Sequence, residues 1–474
     1  MKRARVMTAL VCMALGLFSV ASGIDPPEKM WEKTYNQTGA NCFTDLCITA
    51  DGDLVLTAGN LILMDTSGGI IWSVEDPSLY THSLRDVDEP VGRDYFICSG
   101  RCKVESGDTY SLLLQKISAT GEIIWTKVYD YPNTREEGYS IIELPDGGFA
   151  VCGRVYGEGL YLGQAWILRT DANGDTLWTD VWGTTTYNYA VGIEYDADND
   201  WLVVLALGAS DSLPEWGPHL LFYSLEGDYL FGTTYPDLYQ EKPRGLCTTV
   251  DGGYAFVSEY GYNFLPVISG TDCQGDLLWS YDIYGFLAGD AHGIDRTVLD
   301  DGFLVTGFAV ESTWVDTGNG INGARLVRFD GDGNELWDIT EGSWGDEFCA
   351  AVQLPYGGYI AAGKTGYYDG YLVRYAPETG IEGPVSPGGG ILRPVTPNPS
   401  SSVFNVSVNL PEAMDVRLEV HDTAGRRVEL LVDGLLQSGA HEFSWDASGL
   451  SSGCYLVRLS GIGVSETVRC VLIR

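Results

Sequence analysis

Short runs of alternating apolar and polar residues, each closed by a turn, recur along most of the chain. Between 138 and 182, "GYSIIEL" is one run, "PDGG" is a turn and "FAVCGRV" is a second run. After a longer loop come "AWILRT", the turn "DANGD" and "TLWTDVWG". The pattern predicts four strands, A to D, joined as antiparallel hairpins. Asp and Asn bond their own turn backbone and Gly accepts positive φ, which accounts for the punctuation.

The unit repeats. "RTDANGDTLW" (169–178) has near-copies in "MDTSGGIIW" ending at Trp72, "KISATGEIIW" at Trp125, "GTDCQGDLLW" at Trp279 and "RFDGDGNELW" at Trp337. Aligned on the final aromatic, the copies fall at Trp31, Trp72, Trp125, Trp178, Phe231, Trp279 and Trp337, at intervals of 41, 53, 53, 53, 48 and 58 residues. The A–B turn repeats as "ADGD", "VDGG", "LDDG" and "PYGG". A four-stranded unit of about 50 residues predicts a β-propeller, whose blades are stable only when the ring closes. A strands are expected near Phe43, His82, Gly138, Ala190, Arg244, His292 and Phe348. The last repeat ends at "YLVRYAPETG" without a D strand, and the N-terminal "MWEKTYN" would supply it. The expected fold is therefore all-β, a seven-bladed propeller over 24–380 closed by the N-terminal strand. The repeated Trp residues are expected to pack between adjacent blades. "DGDGN" (330–334) resembles a calcium loop but occupies the slot of "DANGD", so it reads as a plain turn.

These motifs resemble quinoprotein-type blades, which also end in Gly followed by a docking Trp. They resemble sialidase Asp-boxes less, since Asp171, Gly174 and Trp178 are more widely spaced. They are similar above all to secreted bacterial propellers with "DGG(F/Y)xxxG … DxxGxxxW" repeats, which often precede a C-terminal sorting domain.

Beyond Gly380 the composition shifts. A Pro/Gly-rich stretch reads as a linker over 381–394. Six alternating runs follow: "FNVSVNL", "DVRLEVHD", "RRVELLVDG", "HEFSWDASG", "CYLVRLSG" and "TVRCVLIR". They predict a compact β-sandwich over 395–474. "PNPSS" (397–401), "VRLEVHDTAGRRV" (416–428) and "GAHEFSWDASGLSSGCYLVRL" (439–459) resemble the type A sorting domain of the type IX secretion system. That family shares an Ig-like sandwich with the flagellar-hook capping protein. The resemblance implies an Ig-like fold, the type IX machinery as partner, surface attachment, and a sorting motif of Pro397, Asn398, Pro399, Gly425, Arg426, Gly453, Tyr455, Arg469 and Arg474. The family's final strand usually carries Lys where this chain has Arg469 and Arg474.

Charge narrows the partners. The 65 acidic and 28 basic residues among 474 give a net charge of −37. A nucleic acid or a bare anionic membrane needs a basic surface, so neither is expected. "MKRAR" followed by "VMTALVCMALGLFSVA" reads as a signal peptide over 1–22, and no later stretch is apolar enough to span a bilayer. Removing Cys12 leaves ten cysteines. No CxxC occurs and histidines number five, so neither a metal nor another cofactor is expected. Cys454 and Cys470, on two strands of an expected hairpin, are the best disulfide candidate.

Ligand chemistry is expected on the propeller face formed by the B–C and D–A loops, where loop length varies. The B–C loops carry Tyr156, Tyr161, Trp216, Tyr260, Tyr262, Trp314, Tyr367 and Tyr368 among carboxylates. Exposed aromatics beside acids suit a glycan or a protein partner. The alternative is an enzyme acting on polysaccharide. It would draw on Asp290, His292, Asp346, Glu347, Glu136, Glu137, Glu241 and His82, expected as solvated acids and histidines of the D–A loops. With neither GxSxG nor HExxH in the sequence, no catalytic residue is assigned.

Overall fold

A computed structural model describes residues 25–36, 42–49, 52–90, 94–105, 109–131, 134–157, 160–183, 187–210, 213, 216–235, 238, 241–260, 266–283, 288–310, 322–354, 357–378, 392, 395, 400, 402–410, 414–422, 427–437, 439–450, 453–461 and 464–472. The expected signal peptide lies outside the described residues, as does all but Leu392 of the expected linker. The chain divides into two compact units, Met1–Leu354 with Gly358–Thr379, and Gly380–Arg474 with Pro355–Gly357.

Among the described residues, the first unit is all-β and holds seven four-stranded antiparallel sheets. Sheet 1 comprises Asp45–Ile48, Leu54–Thr57, Leu61–Met64 and Ile70–Val74 as strands A to D. Sheet 2 comprises Thr81–Asp88, Tyr95–Lys103, Ser111–Ser118 and Ile123–Tyr129. Sheet 3 comprises Thr134–Glu143, Phe149–Gly157, Leu160–Thr170 and Thr176–Trp182. Sheet 4 comprises Tyr189–Asp196, Trp201–Gly208, Gly217–Ser224 and Tyr229–Thr234. Sheet 5 comprises Glu241–Thr248, Tyr254–Tyr260, Pro266–Thr271 and Leu277–Asp282. Sheet 6 comprises Ala288–Arg296, Phe303–Val310, Asn322–Phe329 and Glu335–Glu341. Sheet 7 takes Glu347–Gln353, Tyr359–Lys364 and Gly370–Tyr375 as A to C. Its fourth strand is Lys29–Tyr35, which runs antiparallel to strand C with Tyr35 opposite Gly370.

Neighbouring sheets touch through their A strands in sequence order, and strand A of sheet 7 touches strand A of sheet 1. The contacts therefore close a ring, a propeller-like arrangement. Burial follows from it. Leu202 to Gly208 on strand B of sheet 4 is buried without a break, because both faces of the sheet are covered. The D strands form the outer edge and are made mostly of exposed and half-buried residues, as Ile70–Val74 is.

The seams between sheets use the C–D turn. Each turn Asp accepts its own downstream amides: Asp171 Oδ1 takes the N–H of Asn173 at 2.8 Å and of Asp175 at 2.9 Å. Asp330 does the same with Asp332 and Asn334, so "DGDGN" is used as a turn. The turn glycines Gly68, Gly121, Gly174, Gly227, Gly275 and Gly333 all have φ between 77 and 98°. An aromatic ring of the preceding sheet lies over each of them. A methyl group on Gly121 would stand 3.0 Å from the Trp72 ring, and one on Gly227 would stand 2.8 Å from Trp178. Trp31, Trp125 and Trp279 meet Gly68, Gly174 and Gly333 in the same way. The indole N–H of Trp178 donates to Leu225 O at 2.8 Å, and that of Trp72 to Ala119 O at 3.2 Å. Phe231 of sheet 4 lacks a donor and stacks on Phe222, whose ring meets Gly275 instead.

The second unit contains Val403–Leu410 paired with Gly439–Asp446, and a four-stranded sheet ordered Arg427–Leu436, Met414–Asp422, Gly453–Gly461, Val464–Leu472. One core draws on both sheets, with Phe404, Val406 and Trp445 from the first and Leu418, Val420, Val457 and Leu459 from the second. The six expected strands are therefore six observed strands.

The seam predicts a separable cost. Gly252, in an A–B turn, has φ 80°, but a methyl group there would make only an ordinary contact, with Asp198 Oδ2 at 3.7 Å. Gly252→Ala is expected to lose about 1 kcal/mol from backbone strain alone. Gly227→Ala is expected to lose about 2 kcal/mol more, because the methyl group also meets the Trp178 ring. Urea denaturation of both variants measures the difference. Equal losses would mean that the ring does not press on the turn.

Candidate functional site on the long-loop face

The A strands carry one irregularity each in sheets 2 to 7. A β-bulge inserts an extra residue at the same place: Arg85, Tyr139, Val191, Arg244, His292 and Cys349. A bulge re-aims its extra side chain. Opposite the bulge, strand B carries Gly100 in sheet 2, Gly153 in sheet 3, Gly307 in sheet 6 and Gly363 in sheet 7. A side chain there would collide with the carbonyl of Ser83, Glu137, Asp290 or Glu347 respectively. In these four sheets the last Gly of "DGG(F/Y)xxxG" leaves room for the bulge, whereas sheets 4 and 5 carry Ala206 and Ser258 at the same register position.

Several bulge residues reach the next sheet. Arg85 bonds Glu137 of sheet 3 at 3.4 Å and lies over the Tyr139 ring at 5.1 Å. Arg101 bonds the other oxygen of Glu137. Tyr139 meets Tyr189 of sheet 4 edge-on at 6.5 Å. Arg244 bonds Glu259 and approaches Asp290 of sheet 6 at 4.0 Å. His292 faces Glu347 of sheet 7 at 3.5 Å, and Lys364 holds the other Glu347 oxygen at 2.8 Å. The result is charge pairing between sheets 2 and 3 and along sheets 5 to 7, beside the A strands that meet around the ring.

The acids expected in solvated D–A loops are thus placed differently. Glu136, Glu137, Glu241, Asp290, His292 and Glu347 belong to A strands, and Glu136, Glu137 and Glu241 are buried. They lie there because the strands begin several residues earlier than the loop reading required. His82 is half-buried on strand A of sheet 2. Asp346 remains in a loop, where it accepts from Gly366 N at 2.8 Å and Ser343 N at 2.6 Å. Burial works against the Glu347 carboxylate, but His292 and Lys364 hold it down to about 2. Burial pushes Glu136 up to about 7. Asp290 is pushed up to about 6, first by burial and then by the Glu259 carboxyl bonded to it. Glu259 and Asp290 are in direct contact, whereas glycoside hydrolysis needs carboxyls about 5 Å or more apart.

The aromatic candidates separate into groups. Tyr156 is the penultimate residue of strand B of sheet 3, and Arg154 lies 4.6 Å over its ring and 5.0 Å over that of Tyr187. Trp216 is half-buried just before strand C of sheet 4. Tyr161 and Tyr260 lie on strands whose backbone alone is described there, and Tyr262 and Trp314 lie outside the described residues. Tyr367 and Tyr368 occupy the middle of a tight turn, closed by Tyr368 N to Thr365 O at 2.8 Å. They are 92% and 66% exposed, and Tyr368 sits at φ 66°. Trp344, in the loop before strand A of sheet 7, is 77% exposed. Its loop abuts theirs: the Trp344 carbonyl lies beside Gly366, and Asp346 bonds the Gly366 amide. Lys364 lies 5.0 Å from the Tyr368 ring. Trp344 escapes a reading confined to B–C loops, yet "GSWGDE" belongs to the D–A loops of the same face.

Deeper in the channel lie acids that the motif search did not isolate. Asp45 Oδ2 accepts from Val87 N at 3.0 Å, Asp86 from Ile141 N at 2.6 Å and Asp88 from Glu143 N at 2.9 Å. Each carboxyl thereby ties its A strand to the next. Glu194 and Asp295 are partly accessible but enclosed by protein on the channel wall. Burial first, then Asp295 and Asp88, pushes Glu194 up to about 8. Burial first, then Asp45, pushes Asp295 up to about 7.

Among the residues of the expected sorting motif, Gly453 opens a strand, and Tyr455 is buried edge-on against Trp445 at 5.5 Å. Arg469 lies on the last strand, with its side chain not described. Pro397, Asn398, Pro399, Gly425, Arg426 and Arg474 lie outside the described residues. The register sets Cys470 opposite Tyr455 and Cys454 opposite Val471. Cys454 and Cys470 are therefore not register partners in the hairpin.

Residues 394–473 match the family of secretion system C-terminal sorting domains. This sorting domain directs the protein to type IX secretion and attachment at the cell surface. No curated protein sequence matches the chain. Among solved structures, the chain is similar to a chain of the crystal structure of BBS1N in complex with ARL6DN, soaked with lead. The identity is 12% and the TM-score 0.41, over 74% of this chain and 97% of that one. Among the described residues, no helix is long and apolar enough to cross a membrane.

The channel carboxyls predict a pH dependence. Glu194 and Asp295 hold a proton more tightly folded than unfolded. Their contribution to stability is complete below about pH 4 and is lost as pH rises through about 7 to 8. The melting temperature is expected to fall between about pH 5 and 8, and less steeply in Glu194→Gln. Calorimetry across that window checks it. An equal slope in wild type and variant would remove Glu194 from the account.

Proposed function

We propose that the chain is an exported binding scaffold. Its first unit acts as a seven-bladed β-propeller closed by the N-terminal strand, and its long-loop face takes a glycan. Its second unit acts as an Ig-like domain that carries the protein to the type IX machinery and is then removed.

The observation that supports the ligand class is the exposure of Trp344, Tyr367 and Tyr368 on two abutting loops. Large aromatics that are solvent-facing, yet held in a tight turn, gain little from packing. Tyr368 also carries the strain of a left-handed backbone, worth about 1 kcal/mol. Rings so presented offer flat apolar faces to the C–H faces of a sugar, with polar neighbours for its hydroxyls. The carboxylates of the mouth are tied to Arg85, Arg101, Arg244 and Lys364, which favours binding over acid–base work at a glycosidic bond.

Two measurements test this reading. On glycan arrays, the exported protein is expected to bind at least one polysaccharide class. Trp344→Ala and Tyr367→Ala are each expected to weaken that binding about tenfold with an unchanged melting temperature. Binding only to protein panels would replace the glycan with a protein partner, and no binding to either would sink the scaffold reading. Separately, the intact mass of the protein recovered from the cell surface is expected to place its C-terminus within 380–396. A mass running to Arg474 would mean that the second unit is retained.

A further inference from the structure

Cys42 and Cys349 meet where the ring closes. Cys349 is the extra residue of the bulge in strand A of sheet 7, between Phe348 and Ala350. Its carbonyl accepts the Thr306 hydroxyl of sheet 6 at 3.0 Å. Cys42 precedes Phe43, whose amide donates to the Gly363 carbonyl of sheet 7 at 3.1 Å. Gly363 is the register partner of Phe348, the residue next to Cys349. The two cysteines are thus held against each other from opposite sides of the seam between sheets 1 and 7, close enough for each thiol to shift the other.

We propose that Cys42 and Cys349 form a disulfide in the exported protein, fastening sheet 1 to sheet 7 beside the closing N-terminal strand. The inference rests on secretion, which the sorting domain indicates, and not on the ligand reading. Disulfides form and persist in oxidising compartments outside the cytosol. The chemistry of the pair is asymmetric in the required sense. The thiol of Cys349, with Lys364 adding a smaller pull, lowers the Cys42 thiol, while Cys349 is pushed well up by the Cys42 thiol and by burial. Burial pushes the thiols of Cys47, Cys98, Cys152 and Cys247 well up. Among the described cysteines with shifted thiols, Cys42 alone moves down.

The Cys42 thiolate attacks one sulfur of an external disulfide, from a dithiol oxidase or a small disulfide, and releases one external thiol. Cys349 then gives up its proton and displaces the second external thiol. Two cysteine S–H bonds and one external S–S bond become one internal S–S bond and two external thiols. The two electrons pass to the external disulfide. The new bond closes a loop from 42 to 349, nearly the whole first unit, and long loops gain most from such closure.

The test uses the full exported protein, acid-quenched and alkylated under denaturing conditions without reductant, then digested for mass spectrometry. A linked peptide pair containing Cys42 and Cys349, separated by reductant, is expected. Alkyl groups on both residues without prior reduction would overturn the proposal, and so would a link from either to another cysteine. A melting comparison reads the fastening itself. Reduction is expected to lower the wild-type melting temperature by at least about 5 °C and to leave Cys42→Ser unmoved. A wild-type melting temperature that ignores the reductant would overturn the fastening.

Discussion

The first unit depends on one repeated contact, an aromatic ring of one sheet laid over the C–D turn of the next. A four-stranded sheet whose inner strands are apolar on both faces cannot stand alone in water. Each sheet must borrow cover from two neighbours, and the turn glycine lets the ring come close enough to give it. Positive φ and the absence of Cβ are both needed at the same atom. Where the pattern fails, the seam is rebuilt by other means. At sheet 4, Phe222 covers Gly275, and Tyr235 donates to the Gly275 carbonyl at 2.9 Å. At sheet 7 no C–D turn exists, since strand D arrives from the N-terminus. There Trp337 donates instead to the buried Glu378 at 2.7 Å, which also accepts the Tyr359 hydroxyl. The carboxylate takes the place of the missing turn carbonyl, so closure is met by specific chemistry rather than by a gap.

The same repeat also builds the channel mouth. Strand A carries a bulge in sheets 2 to 7, and in sheets 2, 3, 6 and 7 its close backbone approach appears on strand B as the final Gly of the motif. One backbone irregularity therefore re-aims one side chain in each of these six sheets. Arg85, Arg244 and His292 use that position for ion pairs with the next sheet, and Cys349 uses it for contact with Cys42. Scaffold and candidate chemistry share a single backbone device.

Legibility in the sequence follows from range. The turns, the strand runs and the seven-fold recurrence are local chemistry, and the missing seventh D strand was visible as a count. The indole packing was visible because one residue type recurs at one place. The bulge ring was not, because Arg85, Tyr139, Val191, Arg244, His292 and Cys349 share a register position and no chemistry. The acids at 136, 137 and 290 were read as loop residues because strand starts carry no mark when the strand is polar. Cys454 and Cys470 show the limit of spacing. Hairpin membership was legible, but which residue each cysteine faces across the hairpin turns on a one-residue register that the sequence does not display. Cys42 and Cys349 show the converse, a contact between residues far apart in the chain that only ring closure brings together.

The distribution of charge bears on the ligand. A chain of net charge −37 repels polyanions at long range, and the acids in its channel are held partly protonated by enclosure. At the mouth, Arg85, Arg101, Arg244 and Lys364 are paired with Glu137, Glu259 and Glu347. What the rim leaves unspent is aromatic surface at Trp344, Tyr367 and Tyr368. Recognition there has to come from stacking and from directional hydrogen bonds, both of which a neutral sugar satisfies without the desolvation cost of burying a charge.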